Sequence, residues 1–272
     1  MRLTHDTTAK TPHSRPSAPL QPAYVVSALL DRVSEAEALE RLFATPPSDR
    51  ARMCHFAHAH ALNLAAEDGA LREAFARADQ VWPDGSGIRL AGDILGTPIP
   101  HNVNGTDMLP QICARAAREQ RSLVFIGAAP GVAARAAELL GARFPGLSVP
   151  IISDGFLDAK KAEGLADRLR SLRGAIVLVG MGSPRQELWA WQHLARVPNV
   201  TVLTVGGLFD FYADRIPRAP RWLRSLGLEW TFRMAQEPRR LARRYLLGNP
   251  LFVARVLYQA RMGAPFPRLQ ER

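Results

Sequence analysis

The amino-acid sequence predicts an α/β protein. Three apolar runs carry that reading: SLVFIG (122–127), AIVLVGMG (175–182) and VTVLTVGG (200–207), each closing on a glycine. Their residues do not alternate between polar and apolar, which marks strands covered on both faces of a parallel sheet. Stretches of helical periodicity lie between them, long enough for crossover connections. A further observation is the change after about residue 214, where Pro217, Pro220, Pro238 and Pro250 punctuate arginine-rich helical segments. The expected architecture is a Rossmann-like, mostly parallel sheet flanked by helices, with an Arg-rich C-terminal helical appendage. Three regions follow: a disordered tail over 1–22, an α/β core over 23–214 and a basic helical appendage over 215–272.

Each element can be justified in order. Residues 1–22 are rich in Thr, Pro and Ser without apolar periodicity, so they read as disordered. Leu29, Leu30, Val33, Ala36, Leu39, Leu42 and Phe43 recur at helical spacing and predict a helix over 27–44. MCHFAHA (53–59) predicts a short strand, followed by a helix over roughly 60–78. WPDGSG (82–87) is a turn leading to a helix near 86–95. A helix begins near Met108, with Thr106 or Asp107 as its N-cap. SLVFIG is followed by the helix VAARAAELLGARF, then LSVPIIS as a strand and AKKAEGLADRLRS as a helix. A helix near 184–195 follows AIVLVGMG, and VTVLTVGG is the last strand of the core.

Composition narrows the function classes. At 272 residues and 47% hydrophobic, the chain can bury a full core. No run of about eighteen apolar residues occurs, so no spanning helix is expected. The polar N-terminus lacks the apolar stretch of a secretory signal. Cys54 and Cys113 alone cannot form a disulfide framework. A cytoplasmic setting fits these features.

Charge is more informative. Of 35 basic residues 32 are arginine, and residues 1–214 hold equal numbers of acidic and basic groups. Residues 215–272 hold 13 arginines against Glu229, Glu237 and Glu271, and so carry the whole net charge of +10. Such a segment suits a polyanion: nucleic acid, an anionic membrane or a diphosphate. Interleaved Trp222, Trp230, Phe232, Tyr245, Phe252 and Tyr258 suit a membrane interface as well as nucleic acid. A helical cap with solvated arginines would have the same composition.

In open parallel sheets, ligands bind at the carboxyl ends of the strands. Three glycine-rich turns fall there: Gly127 to Gly131, Gly180 to Glu187 (with Gly182, Ser183, Pro184, Arg185 and Gln186), and Gly206 to Asp210. Glycines let a backbone approach phosphate, and helix N-termini offer N–H groups. Together they favour a nucleotide or phosphate pocket. Asp84 stands before Gly85, as a bare turn or as a carboxylate tuned for general-base work. Asn102, Asn104, Thr106 and Asp107 either line a sugar site or cap a helix. His55, His58 and His60 place two imidazoles on one face of a strand, but no carboxylate or cysteine array completes a metal set, so no metal is expected.

The ordered set WPDGSGI, NGTD, VFIGAAPGVA, VGMGSPRQE, VGGLFDF, RAP (218–220), GLEW (227–230) and EPRRLARRYLLGNP (237–250) resembles the WecG/TagA/CpsF family of bacterial glycosyltransferases. The resemblance covers about residues 50–258. It implies an inverting hexosyltransferase that moves a sugar, of the glucose or N-acetylmannosamine type, from a UDP-sugar to a polyprenyl-diphosphate-linked saccharide. The setting implied is cell-envelope or exopolysaccharide synthesis, with the enzyme peripheral on the inner, cytoplasmic face of the plasma membrane. It implies Asp84 as general base and Gln186 in the donor site. Arginines of the appendage, nearest the RAP motif Arg215, Arg218 and Arg221, would complete the pocket and face the diphosphate or an anionic membrane surface. A Thr-x-Asn pair often precedes the first long helix in the family. Here Phe56 and His58 stand in those positions, so the asparagine's contact passes to His58 or is missing.

Donor binding is accordingly expected from His58, Asn104, Thr106, Asp107, Gly127, Gly131, Gly182, Gln186 and Glu187. No cofactor is expected beyond the UDP-sugar substrate, and a homo-oligomer is compatible with the apolar faces. The alternative from another class is a nucleotide-binding module with a basic nucleic-acid-binding tail. Against it, the arginines alternate with Leu241, Tyr245, Leu246, Leu251, Phe252, Val256 and Leu257. Such helices want a lipid interface or a protein partner rather than nucleic acid.

Overall fold

A computed structural model describes residues 20–263. Most of the expected disordered tail and the last residues of the basic segment lie outside the described residues. The core is a six-stranded, all-parallel sheet in the order β4-β3-β8-β7-β5-β6. Its strands are β3 (Arg52–Ala57), β4 (Gln80–Pro83), β5 (Leu123–Gly127), β6 (Ile151–Ser153), β7 (Ile176–Gly180) and β8 (Thr201–Thr204). Every residue of β5 and β7 is buried, which is why these runs are continuously apolar.

The N-terminal part departs from expectation. Residues 27–33 are not helical. β1 (Ala23–Val25) and β2 (Ala28–Leu30) form an antiparallel hairpin. Ala28 and Leu30 point inward while Leu29 is exposed, an alternation that overrides the coincidental helical spacing. Asp31 fixes the hairpin beside the sheet edge, since its N–H donates to the Val81 carbonyl and its carboxylate accepts from the Val81 N–H at 2.7 Å. The helix proper, α1 (Glu35–Phe43), begins at a capping box formed by Ser34 and Glu37.

The single helix expected over 60–78 is two, α2 (Ala59–Glu67) and α3 (Gly69–Ala76). Asp68 breaks the run and caps α3 by accepting from the N–H groups of Ala70 and Leu71. Further along come α4 (Ser86–Ile94), α5 (Gly105–Arg118), α6 (Val132–Arg143), α7 (Ala159–Arg170), α8 (Arg185–Leu194) and α9 (Leu208–Tyr212). Asn104 caps α5, so Thr106 and Asp107 lie in its first turn rather than at its cap.

Two layers cover the sheet. Phe125, Leu178 and Leu203 pack with α1, α5, α6 and α9 on one face. Val124, Val177 and Val202 pack with α7 and α8 on the other. The helix after β5 therefore lies on the opposite face from the helix after the adjacent β7. Such a reversal opens a crevice at the carboxyl ends of the strands.

The basic region continues as α10 (Arg221–Ser225), α11 (Glu229–Gln236), α12 (Pro238–Ala242), a π-helical turn over Arg243–Leu247, and α13 (Gly248–Met262). The boundary expected at 214/215 does not detach this last helix from the core. Phe252 and Val256 of α13 are buried in a cluster with α2, α4 and the β1–β2 hairpin. Arg255 is buried as well, donating to the Asn63 carbonyl at 2.8 Å and pairing with Glu67. Gln259 bonds the hairpin backbone at Val26 and Tyr24.

Candidate active site

β3 and β4 end side by side, with Ala57 paired in register with Pro83. His58 and Asp84 are the next residue on each strand, about 5 Å apart in backbone. The Asp84 N–H donates to the Ala57 carbonyl at 2.9 Å, and the following Gly85 N–H donates to Asn102 Oδ1 at 2.6 Å. The Asp-Gly turn is thus held on both sides, and the Asp84 carboxyl stands at the strand end.

Helices of the basic region roof this carboxyl. The α10–α11 turn rests on the start of α4, where Ser86 Oγ donates to the Gly227 carbonyl at 3.2 Å. Burial pushes the Asp84 carboxyl up to about 7, and the nearby Glu229 carboxylate adds to the rise. Arg244 and Arg233 pull in the opposite direction. Both guanidinium groups therefore face Asp84. Arg233 also reaches the last core turn, its Nη2 lying 3.7 Å from where a Cβ on Gly207 would sit.

Two of the arginines expected to face the diphosphate or membrane pair with carboxylates. Arg218 pairs with Asp107 at 2.7 Å and with Glu229 at 3.6 Å. Arg215 pairs with Asp210 at 3.0 Å. Arg221 opens α10. Burial alone would raise Asp107, but the Asn104 amide and the Arg218 guanidinium hold it below the usual carboxylate value. Asn104 accepts from the Asp107 N–H at 2.9 Å and donates to its carboxylate at 2.8 Å, while the Thr106 carbonyl accepts from the Tyr212 hydroxyl. The NGTD cluster therefore fastens the basic helices to α5.

The glycine turns divide in function. At Gly127 a Cβ would lie 2.2 Å from the Gly180 carbonyl oxygen, so this glycine lets two strand ends approach. Gly131, at φ 81°, opens α6 and faces a groove of about 380 Å³ with Arg135 and Arg215. Gln186 is buried. Its side-chain oxygen accepts from the Gly206 N–H at 2.8 Å and the Gly182 N–H at 3.2 Å. Its amide donates to Glu187, which also accepts from the Ser183 hydroxyl. Burial raises the Glu187 carboxyl. This pair ties the β7 and β8 turns to each other, and Gln186 works from beneath them.

The histidines do not share a strand face. β3 ends at Ala57, His58 caps α2 and His60 lies in its first turn, their rings stacked at 6.0 Å. His55 is buried in the sheet, 3.0 Å from Thr204 Oγ1, and burial pushes it down to about 3. Among the described residues, no three His, Cys, Asp or Glu side chains are grouped to hold a metal ion. No helix of the described residues is long and apolar enough to cross a membrane.

Arg233, Arg244 and Glu229 were missed as residues facing Asp84, although GLEW and RRY were visible as motifs. Their approach depends on a fold-back that no local periodicity encodes. A curated protein of Bacillus spizizenii, an N-acetylglucosaminyldiphosphoundecaprenol N-acetyl-beta-D-mannosaminyltransferase, is 29% identical over 187 residues, covering 69% of this chain and 71% of that protein. The family model described as Glycosyl transferase WecG/TagA/CpsF family matches residues 23–265, the whole sheet and every helix that roofs Asp84, and the chain belongs to that glycosyltransferase family.

Proposed function

We propose that this glycosyltransferase is inverting and metal-independent, moving a sugar of the glucose or N-acetylmannosamine type from UDP to a polyprenyl-diphosphate-linked saccharide, with Asp84 as the general base. The observation that carries the reading is a carboxyl held at the end of β4 by the bonds of Asp84 to Ala57 and of Gly85 to Asn102, under the α10–α11 turn that rests on Ser86, where burial raises it and two guanidinium groups face it. A base works best when its pKa lies near the operating pH. The acceptor oxygen attacks the anomeric carbon as its proton passes to Asp84. The new C–O bond forms while the bond to the donor phosphate breaks on the opposite face, so a single displacement inverts the centre. The leaving nucleoside diphosphate gains negative charge, which Arg233 and Arg244 offset. The family and the substrate named for the Bacillus relative support the lipid-linked acceptor.

The basic helices support placement at the inner membrane face. Trp222, Leu226, Leu246, Leu247, Leu257 and Met262 are each more than half exposed among arginines, a mixture suited to an anionic lipid surface. Asp84→Asn tests the centre of the reading. Transfer of radiolabelled sugar should fall about 10²- to 10⁴-fold, the usual contribution of a general base, while UDP affinity by calorimetry stays nearly unchanged. Retained turnover in this variant would remove Asp84 from the chemistry.

A further inference from the structure

A row of buried polar side chains runs beneath the glycine turns of β7 and β8, and only its upper end, Gln186 and Glu187, touches those turns. At its lower end His55 and Thr204 sit side by side in register on β3 and β8, both fully buried. His55 Nδ1 lies 3.0 Å from Thr204 Oγ1, and the ring stands edge-on to Phe75 of α3 with centroids 5.7 Å apart. The Thr204 hydroxyl also acts on the Glu187 carboxyl as a hydrogen-bonding neighbour, opposing the rise that burial causes. Ser183 and Gln186 both donate to Oε1 of that carboxyl, at 2.9 and 2.7 Å, and leave the buried Oε2 unmet.

The protons of this row have two arrangements. Burial keeps His55 neutral, so its ring carries one proton, and its Nε2 has no partner among the described residues. If the Thr204 hydroxyl donates to Nδ1, the proton sits on Nε2 as an unmet buried N–H, and Glu187 Oε2 stays unmet as well. If the hydroxyl turns to the carboxylate instead, it serves Oε2 while its own oxygen accepts from Nδ1–H. Only the Nε2 lone pair is then left over. Leaving a buried polar group without a partner is costly, so the arrangement with one such group prevails over the arrangement with two.

A carboxylate met in this way fixes what lies above it. The Gln186 amide donates to Glu187 only with its oxygen turned the other way, toward the Gly182 and Gly206 N–H groups. Flipped, it would set its own N–H groups against those two donors and its oxygen against the carboxylate. We infer that His55 is a positioning residue: it donates to Thr204, which donates to the Glu187 carboxylate, and this chain locks the Gln186 amide and with it the glycine turns at the ends of β7 and β8. For its effect on the reaction the inference rests on the transferase reading, in which the donor nucleotide binds at those turns.

The proton on His55 tests the chain directly. In ¹⁵N–¹H spectra of histidine-labelled protein, with His55 assigned by its through-space contacts to Phe75, the wild type should carry the proton on Nδ1. In Glu187→Gln the carboxamide oxygen stays with the Ser183 and Gln186 donors, and its N–H groups face Thr204. The Thr204 hydroxyl must then swing to His55, and the proton should move to Nε2. A wild-type proton on Nε2 overturns the inference, as does a proton that remains on Nδ1 in Glu187→Gln. The wild-type spectrum decides even where that variant fails to fold.

Thr204→Val and Thr204→Ser read the effect on the turns. The first keeps the shape of the side chain without its hydroxyl, so UDP affinity by calorimetry should weaken about three- to tenfold, the worth of one hydrogen bond. KM for the donor should rise by more than kcat falls. Thr204→Ser keeps the hydroxyl and should bind UDP within about twofold of wild type. Unchanged affinity in Thr204→Val, or an equal loss in Thr204→Ser, overturns the positioning role. Neither the spectra nor the titrations need turnover. A wild-type protein with its proton on Nδ1 that transfers no sugar would therefore refute the transferase reading alone.

Discussion

Phe252→Ala tests whether the last helix belongs to the core. Phe252 is 2% exposed within the cluster formed by α2, α4 and the hairpin, and its ring lies 3.9 Å from where a Cβ on Gly87 would sit. Surrounded by three elements, the site has little room to collapse. Truncation then loses both the transfer free energy of the ring and the contacts around the void, about 4 kcal/mol in all. For a domain of this size that lowers Tm by roughly 10 °C. Urea unfolding followed by circular dichroism should show the loss as a shifted midpoint with an unchanged slope. Leu257→Ala, at a position 53% exposed on the same helix, should stay within about 0.5 kcal/mol of wild type. A Phe252→Ala protein within 1 kcal/mol of wild type, or a separate early transition, would refute the reasoning and make residues 215–272 a detachable appendage.

Other expectations follow from the same geometry. Because the base must be ionised and its carboxyl is raised to about 7, kcat/KM should fall tenfold per pH unit below about 7 and level off above it. A flat profile between pH 5 and 8 would contradict that. The same shift has a stability consequence. The folded protein holds the Asp84 proton between about pH 4 and 7 where the unfolded chain has released it, so stability falls as pH rises through that window. Asp84→Asn should therefore unfold at higher urea than wild type at pH 8, by up to about 4 kcal/mol, and at nearly the same urea near pH 4. Leu246→Ser with Leu247→Ser should reduce flotation with anionic vesicles several-fold, the two side chains being 58% and 65% exposed; undiminished flotation would place the lipid contact elsewhere. EDTA should leave sugar transfer unchanged if arginines meet the leaving charge, and a loss restored by added Mg²⁺ would reverse that assignment.

Five of the six strands of the parallel sheet, most of the helices between them and the glycine turns at the carboxyl ends were legible in the sequence, whereas β4 read only as a short apolar stretch before a turn. Each is a local pattern: a continuous apolar run, a helical period, a glycine after a strand. Asp84 was legible too, since it directly follows an apolar stretch and precedes a glycine. Local pattern misled where two periods overlap. Residues 27–33 fit a helix, yet the pairing of Ala28–Leu30 with Ala23–Val25 makes a hairpin, and the Asp31 bonds hold it to β4.

What only the tertiary structure decided is which side chains meet at Asp84. Arg215, Arg218 and Arg221 are nearest in sequence to the core motifs, but Asp210, Asp107 and Glu229 engage the first two. Arg233 and Arg244 reach the carboxyl because α13 folds back and locks onto α2 and the hairpin through Phe252, Arg255 and Gln259. Gln186 likewise turns inward to hold two glycine turns. Sequence periodicity records which face of an element is buried; it does not record which distant element supplies the covering surface, and here that surface sets the charge around the base.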